Sequence, residues 1–158
     1  EEIIDKNLTF LEAQYKEKGL IIKRNYQEGL PDIMADSAML YQSFLNILLN
    51  AMQSMPEVGR ILVEVSSDDH RITIHFDDEG QGIPPENMNK IWDPFFTTKE
   101  KGTGLGLGIV KNIIEAHGGS IQIVNRPVSG ARVTVELPLK PTSTGTAPTD
   151  GAAAGERN

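Results

Sequence analysis

The chain contains no cysteine. A disulfide framework, a thiolate metal centre and a cysteine nucleophile are therefore excluded together. Basic charge is also in short supply: 15 Lys and Arg stand against 22 Asp and Glu, giving a formal net charge of −7. Wrapping a nucleic acid requires a basic stripe, so no nucleic-acid partner is expected. No apolar run approaches the roughly 18 residues of a membrane-spanning helix, and no signal-peptide pattern is present. This piece is expected to make no membrane contact and to work in the cytoplasm. It begins at Glu1, without Met and inside a helical pattern, and so reads as a segment of something longer. Its 158 residues, 39% of them hydrophobic, suffice for one domain with one core.

The last stretch, Pro141 to Asn158, has no Leu, Ile, Val, Met or aromatic residue. It cannot bury enough apolar surface to offset its ordering entropy, so a disordered tail or linker is expected there and a folded domain over residues 1–140. Within that domain Ile3 to Lys18 shows helical spacing and ends at Gly19. Leu20 to Tyr26 reads as a strand and Ile33 to Ala35 as a short one. Asp36 or Ser37 caps a helix running to about Met55. Arg60 to Ser66 and Arg71 to Asp78 alternate as a hairpin. A glycine-rich irregular region, Glu79 to Gly104, precedes a helix from Gly106 to His117. Ser120 to Asn125 and Ala131 to Leu137 form two closing strands. This order predicts an α+β fold, a two-layer sandwich with a mixed, mostly antiparallel sheet and helices on one face.

Four places carry chemistry. On the helix from Ser37, Gln42, Asn46, Asn50 and Gln53 make one polar stripe on an otherwise apolar cylinder. A buried carboxamide without a partner costs about 1–3 kcal/mol, so four in a row point to a wet pocket. An Asn carbonyl is also a suitable hard ligand for Mg²⁺. In the strand Arg71 to Asp78, Ile72, Ile74 and Phe76 share one face, and Asp78 continues it, which puts a carboxylate on the buried side. The turn Glu79-Gly80-Gln81-Gly82-Ile83 then permits close backbone approach, and a ligand amine would suit the acceptor. Finally, Lys101-Gly102-Thr103-Gly104-Leu105-Gly106-Leu107-Gly108 opens a helix whose freed N–H groups can cradle anions. It is neither the Walker nor the dinucleotide glycine pattern. Before it, Trp92-Asp93-Pro94-Phe95-Phe96-Thr97-Thr98-Lys99 reads as a loop or lid anchored by its aromatics, with Thr and Lys reaching a phosphate.

These elements, in this order, closely resemble the catalytic and ATP-binding domain of sensor histidine kinases. Asn46-Ile47-Leu48-Leu49-Asn50-Ala51 matches that family's asparagine box, and Asp78-x-Gly80-x-Gly82 its first glycine box. Asp93-Pro94-Phe95-Phe96-Thr97-Thr98-Lys99 matches the phenylalanine box, and Gly102-Thr103-Gly104-Leu105-Gly106-Leu107 the second glycine box. His117-Gly118-Gly119 and Leu137-Pro138 fit as well, and the short lid looks most like the nitrogen-regulation type. The resemblance implies the Bergerat fold with ATP and Mg²⁺ between helix and lid. Asp78 would accept from the adenine amine, in a pocket shaped by Gly80, Gly82 and Ile83. Asn50 would ligate Mg²⁺, with Asn46 and Gln53 on the pocket wall. Many members have Lys or Arg where Gln53 stands, which leaves charge neutralisation to Mg²⁺ and Lys99. Phe95, Phe96, Thr98, Lys99, Gly102, Thr103, Gly104, Leu105, Gly106 and Leu107 would line the phosphate side, with Asn50 and Lys99 as the catalytic pair.

The family's phosphoacceptor His has an acidic follower on a dimerising helix hairpin. Here His70 precedes Arg71, His75 precedes Phe76 and His117 precedes Gly118. None fits, and a cationic His117 would instead complement its helix dipole. The expected partners are therefore the hairpin domain of a homodimeric parent and a response regulator downstream, the piece itself being monomeric. Rival readings are a protein-serine kinase of the anti-sigma type, a clamp ATPase (that group lacks the phenylalanine box) and a nucleotide-binding module without transfer activity.

Overall fold

The computed structural model describes residues 1–96 and 106–140. Their element order is α1 (Glu2–Glu17), β1 (Ile21–Tyr26), α2 (Ser37–Gln53), β2 (Arg60–Ser67), β3 (Arg71–Asp78), a 3-10 turn (Pro85–Asn87), α3 (Gly106–Ala116), β4 (Ser120–Asn125) and β5 (Ala131–Pro138). The five strands form one sheet in the order β1-β2-β3-β5-β4. Only β1 and β2 run parallel; the other three pairs are antiparallel. The expected mixed, mostly antiparallel sheet with helices on one face is what the chain forms. Among the described residues no helix is long and apolar enough to cross a membrane.

Alternation sorts the strands into two faces. Ile61, Val63 and Val65 of β2, Ile72, Ile74 and Phe76 of β3, and Val135 and Leu137 of β5 are buried toward the helices. The helices answer with Leu40, Phe44, Ile47, Leu48 and Ala51 of α2, Ile4, Leu8 and Leu11 of α1, and Val110 and Ile114 of α3. Phe44 and Phe76 meet across the layer boundary with ring centroids 5.8 Å apart and planes tilted by 42°. Such a pair adds about 0.5–1.5 kcal/mol beyond area burial. The Asp36 carboxylate caps α2 by accepting from Met39 N–H at 3.0 Å, as its side-chain type predicts. At the far edge of the layer, Arg24 and the Tyr26 hydroxyl both donate to Asp5 Oδ1 at 2.9 Å, tying α1 to β1. Burial and that carboxylate push the Tyr26 phenol up.

One expectation needs correction. Ile33 to Ala35 is not a strand. It belongs to the connection from β1 to the cap of α2 and joins no strand of the sheet. Ile33 instead packs half-buried against the core. His117, at the end of α3, has a further role: its Nε2 faces Asp36 N–H at 3.0 Å and its Nδ1 lies 2.7 Å from Ile113 O. His117 thereby ties the end of α3 to the start of α2.

Candidate functional site

Asp77 and Asp78, adjacent in β3, point to opposite faces of the sheet. Asp78 continues the buried face of Ile72, Ile74 and Phe76 and is 6% exposed. Its Oδ1 accepts from Gly80 N–H at 2.9 Å and from Ala131 N–H at 3.2 Å. Burial pushes its carboxyl above the usual aspartate range, while those two N–H groups, the Ser54 hydroxyl and Arg126 pull the other way. An acceptor held this way, dry and anchored on one oxygen, suits a neutral N–H donor such as an amino group.

The polar helix ends beside it. Ser54, the C-cap of α2, accepts from Gln81 N–H through its carbonyl at 3.4 Å. A Cβ on Gly80 would sit 2.1 Å from Ser54 Oγ, so only glycine lets the turn close against the helix end. Asn50 lies four residues before Ser54, one helical turn of about 5.4 Å. The fold therefore delivers Asn50 and Asp78 to one locality although 28 positions separate them in sequence. Along the stripe Gln42 and Gln53 are exposed and Asn46 and Asn50 half-buried, on the side of α2 away from its buried face. The helix predicted to be apolar almost all round thus has one wet face, as its carboxamides require.

The first turn of α3 lies against the aromatic loop. Gly106 opens the helix, a Cβ added there would meet nothing within 4 Å among the described residues, and Leu107 is half-buried. Gly108 faces the carbonyl of Trp92, and Lys111 Nζ lies 5.3 Å above the Trp92 ring. The aromatic loop is therefore pinned by Ile91, 8% exposed, and by Trp92. Phe95 is not the expected anchor: it is 75% exposed and takes a left-handed backbone, φ 65°, while Phe96 is half-buried. Thr98, Lys99, Gly102, Thr103, Gly104 and Leu105 lie outside the described residues, as does the tail from Pro141.

Sequence reasoning missed the β4–β5 turn. Asn125 Oδ1 accepts from Ile83 N–H at 2.8 Å and its Nδ2 donates to Ile83 O at 2.7 Å. Arg126 Nη1 donates to the main-chain carbonyl of Asp78 at 2.8 Å. On the outer face Arg132 grips Asp77 with two bonds, Nε to Oδ1 at 2.7 Å and Nη2 to Oδ2 at 2.6 Å. The available signal was the strand parity that turned Asp77 outward opposite Arg132 in β5. Asn125 and Arg126 carried no comparable signal.

The metal question is one of donors. Among the described residues no three His, Asp or Glu side chains cluster as a cation site. A Mg²⁺ ion here would take few protein ligands and draw the rest from phosphates and water, which is its habit with nucleotides. The carboxamide stripe fits that demand.

A two-layer sandwich with a buried aspartate at a strand end, a glycine turn and a carboxamide-bearing helix beside it is the architecture of a nucleotide-binding ATPase domain. The chain belongs to the family of histidine kinase-, DNA gyrase B- and HSP90-like ATPases, whose model matches residues 35–141. It is 38% identical over 139 residues to sporulation kinase A of Bacillus subtilis, covering 88% of this chain and 23% of that protein. To sensor histidine kinase ZraS of Escherichia coli K12 it is 36% identical over 137 residues, covering 87% of this chain and 30% of that one. The chain thus spans less than a third of these relatives. Among solved structures, the catalytic domain of histidine kinase ThkA superposes with a TM-score of 0.82 at 30% identity, covering 89% of this chain and 94% of that one. ThkA in complex with the response regulator protein TrrA gives 0.79 at 28% identity, covering 90% and 41%.

Proposed function

We propose that this chain is the catalytic part of a two-component sensor kinase, binding Mg-ATP and passing the γ-phosphoryl group to a histidine on a helix-hairpin domain outside it. The carrying observation is Asp78, buried and held at the end of β3 where the glycine turn meets the end of α2. Its carboxylate accepts the exocyclic amine of adenine; Gly80 and Gly82 let the base lie close, with Ile83 at its edge. Asn50 would ligate Mg²⁺, with Asn46 and Gln53 on the same wall, and the ion would supply positive charge to offset that of the phosphates. From the sequence alone, Lys99 and the glycines from Gly102 to Gly106 serve the phosphates. Phosphoryl transfer depends mostly on positioning and electrostatics, so the acceptor imidazole need only be delivered in line, leaving ADP and a phosphohistidine.

The histidines of this chain support an external acceptor. His75 Nδ1 lies 2.9 Å from Thr134 Oγ1 within the sheet, His117 holds α2 to α3, and His70 sits in a hairpin turn. A response regulator would receive the phosphate next, and the parent would be a dimer.

Incubation with radiolabelled ATP, with and without the parent's separate hairpin domain, tests the reading. Acid-labile label is expected on the hairpin domain alone, slowly, since a free acceptor lacks the effective concentration of a tethered one. Acid-stable label on the partner would establish a serine kinase instead, and ATP binding with no transfer to any acceptor a bare binding module.

A further inference from the structure

The β4–β5 turn lies outside every motif that the sequence singles out, yet its side chains are committed to the turn after β3. Asn125 exchanges two hydrogen bonds with Ile83, its carboxamide replacing the main chain of a neighbouring strand. Arg126 donates to the Asp78 carbonyl, and its Nε lies 4.0 Å from the Asp77 carboxylate. Asp77, 4% exposed, is held in turn by the planar fork of Arg132. The last two residues of β3 are therefore clamped from both faces: Asp78 from the helix side through its carboxylate, Asp77 from the other through two arginines.

The turn does not need these side chains for its own closure. Arg126 N–H already bonds Gly130 O at 2.9 Å, and the flanking residues pair in register as Asn125 with Ala131. Gly130 keeps the turn close: with φ +82°, a Cβ there would lie 1.9 Å from the Asp78 carbonyl oxygen. What Asn125 and Arg126 add is a fixed path for residues 78–83, the segment whose backbone decides where the Asp78 carboxylate points.

We propose that Asn125 and Arg126 are positioning residues for base recognition, holding the turn from Asp78 to Ile83 so that the Asp78 carboxylate meets an exocyclic amine and discriminates adenine from bases lacking one. The inference rests on the assignment of Asp78 as the amine acceptor. It predicts a loss of discrimination rather than a uniform loss of affinity, because phosphate contacts do not pass through this turn.

The test titrates ATP and inosine triphosphate, whose base carries a carbonyl in place of the amine, into the wild-type chain and into Asp78→Asn, Arg126→Ala, Arg126→Lys and Asn125→Asp, with thermal melting of each. The wild type is expected to prefer ATP and Asp78→Asn to lose that preference. Arg126→Ala should lower the ATP-to-inosine triphosphate affinity ratio by about 5- to 10-fold with little change for inosine triphosphate. Arg126→Lys should recover part of it, since an ammonium still donates to the Asp78 carbonyl. Asn125→Asp keeps the acceptor for Ile83 N–H and loses the donor, so its drop should be smaller; it carries the test if Arg126→Ala does not fold. An unchanged ratio in the folded variants, or equal losses for both nucleotides, overturns the inference while leaving Asp78 in place. A wild type without preference, or an Asp78→Asn variant that keeps it, overturns the assignment of Asp78 and the inference with it.

Discussion

The two walls of the site use glycine for opposite reasons. At the base side the glycines are hemmed in. A Cβ on Gly80 would strike Ser54, one on Gly130 the Asp78 carbonyl at 1.9 Å, and one on Gly82 Asn125 Oδ1 at 2.8 Å. At the helix side, a Cβ on Gly106 would meet nothing within 4 Å among the described residues. The same residue type thus serves closure between protein segments at one wall and opens a helix at the other. On the proposed reading, a tight recess suits a rigid, flat base and the helix start a charged phosphate chain.

Substitutions at the two walls should separate this contrast, and Gly130→Ala should do the most damage. It adds left-handed strain of about 1–2 kcal/mol to overpacking against main chain of about 1–3 kcal/mol, so urea denaturation should show a loss near 3 kcal/mol. A loss under about 1 kcal/mol would mean the turn can move away and is not a fixed brace.

Asp78→Asn comes next and should act on binding rather than folding. A hydrogen bond to a charged group contributes about 1.5–3 kcal/mol, so ATP affinity by calorimetry should fall about 10- to 100-fold. Stability at neutral pH should hold or rise, because the variant removes a buried charge while an amide oxygen can still accept from Gly80 and Ala131. A matching pH dependence is expected in the wild type. The Asp78 carboxyl is raised in the folded chain, so the stability cost of its burial is fully present above that raised value and fades as pH falls through it. Nucleotide affinity runs in the reverse sense: it should weaken as pH falls through the carboxyl's raised value, above the ordinary aspartate value of about 3.9, and Asp78→Asn should flatten the profile.

Asn50→Ala should remove the Mg²⁺-dependent part of ATP binding, about tenfold if the ion provides one good protein–ligand contact. Titrations with and without the metal measure it; a variant retaining the full metal effect would move the ion site elsewhere. Gly106→Ala should do least to the fold, changing stability by no more than about 1 kcal/mol and upward, since alanine favours a helix and no described residue obstructs its Cβ. A large loss there would erase the contrast between the two walls.

Much of this was written in local pattern. Period-two alternation placed the hairpin β2–β3, helical spacing placed α1, α2 and α3, and the parity of β3 put Asp78 on the buried side. These rest on side-chain direction within one element, which sequence spacing records directly. The short strand expected at Ile33 failed because a strand needs a paired neighbour, and this connection runs to the cap of α2 instead of alongside an open edge of the sheet. The tie from His117 to Asp36 N–H was not legible, because that N–H arrives from another element. Asn125, Arg126 and the Asp77–Arg132 pair were silent for the same reason. By itself the sequence determined that Asp78 lies on the buried face of β3 and that the carboxamides of α2 share one side of their helix. Only the tertiary structure decided that a turn more than 40 positions away would hydrogen-bond the loop after β3, because bonds between distant segments are set by the packing of layers.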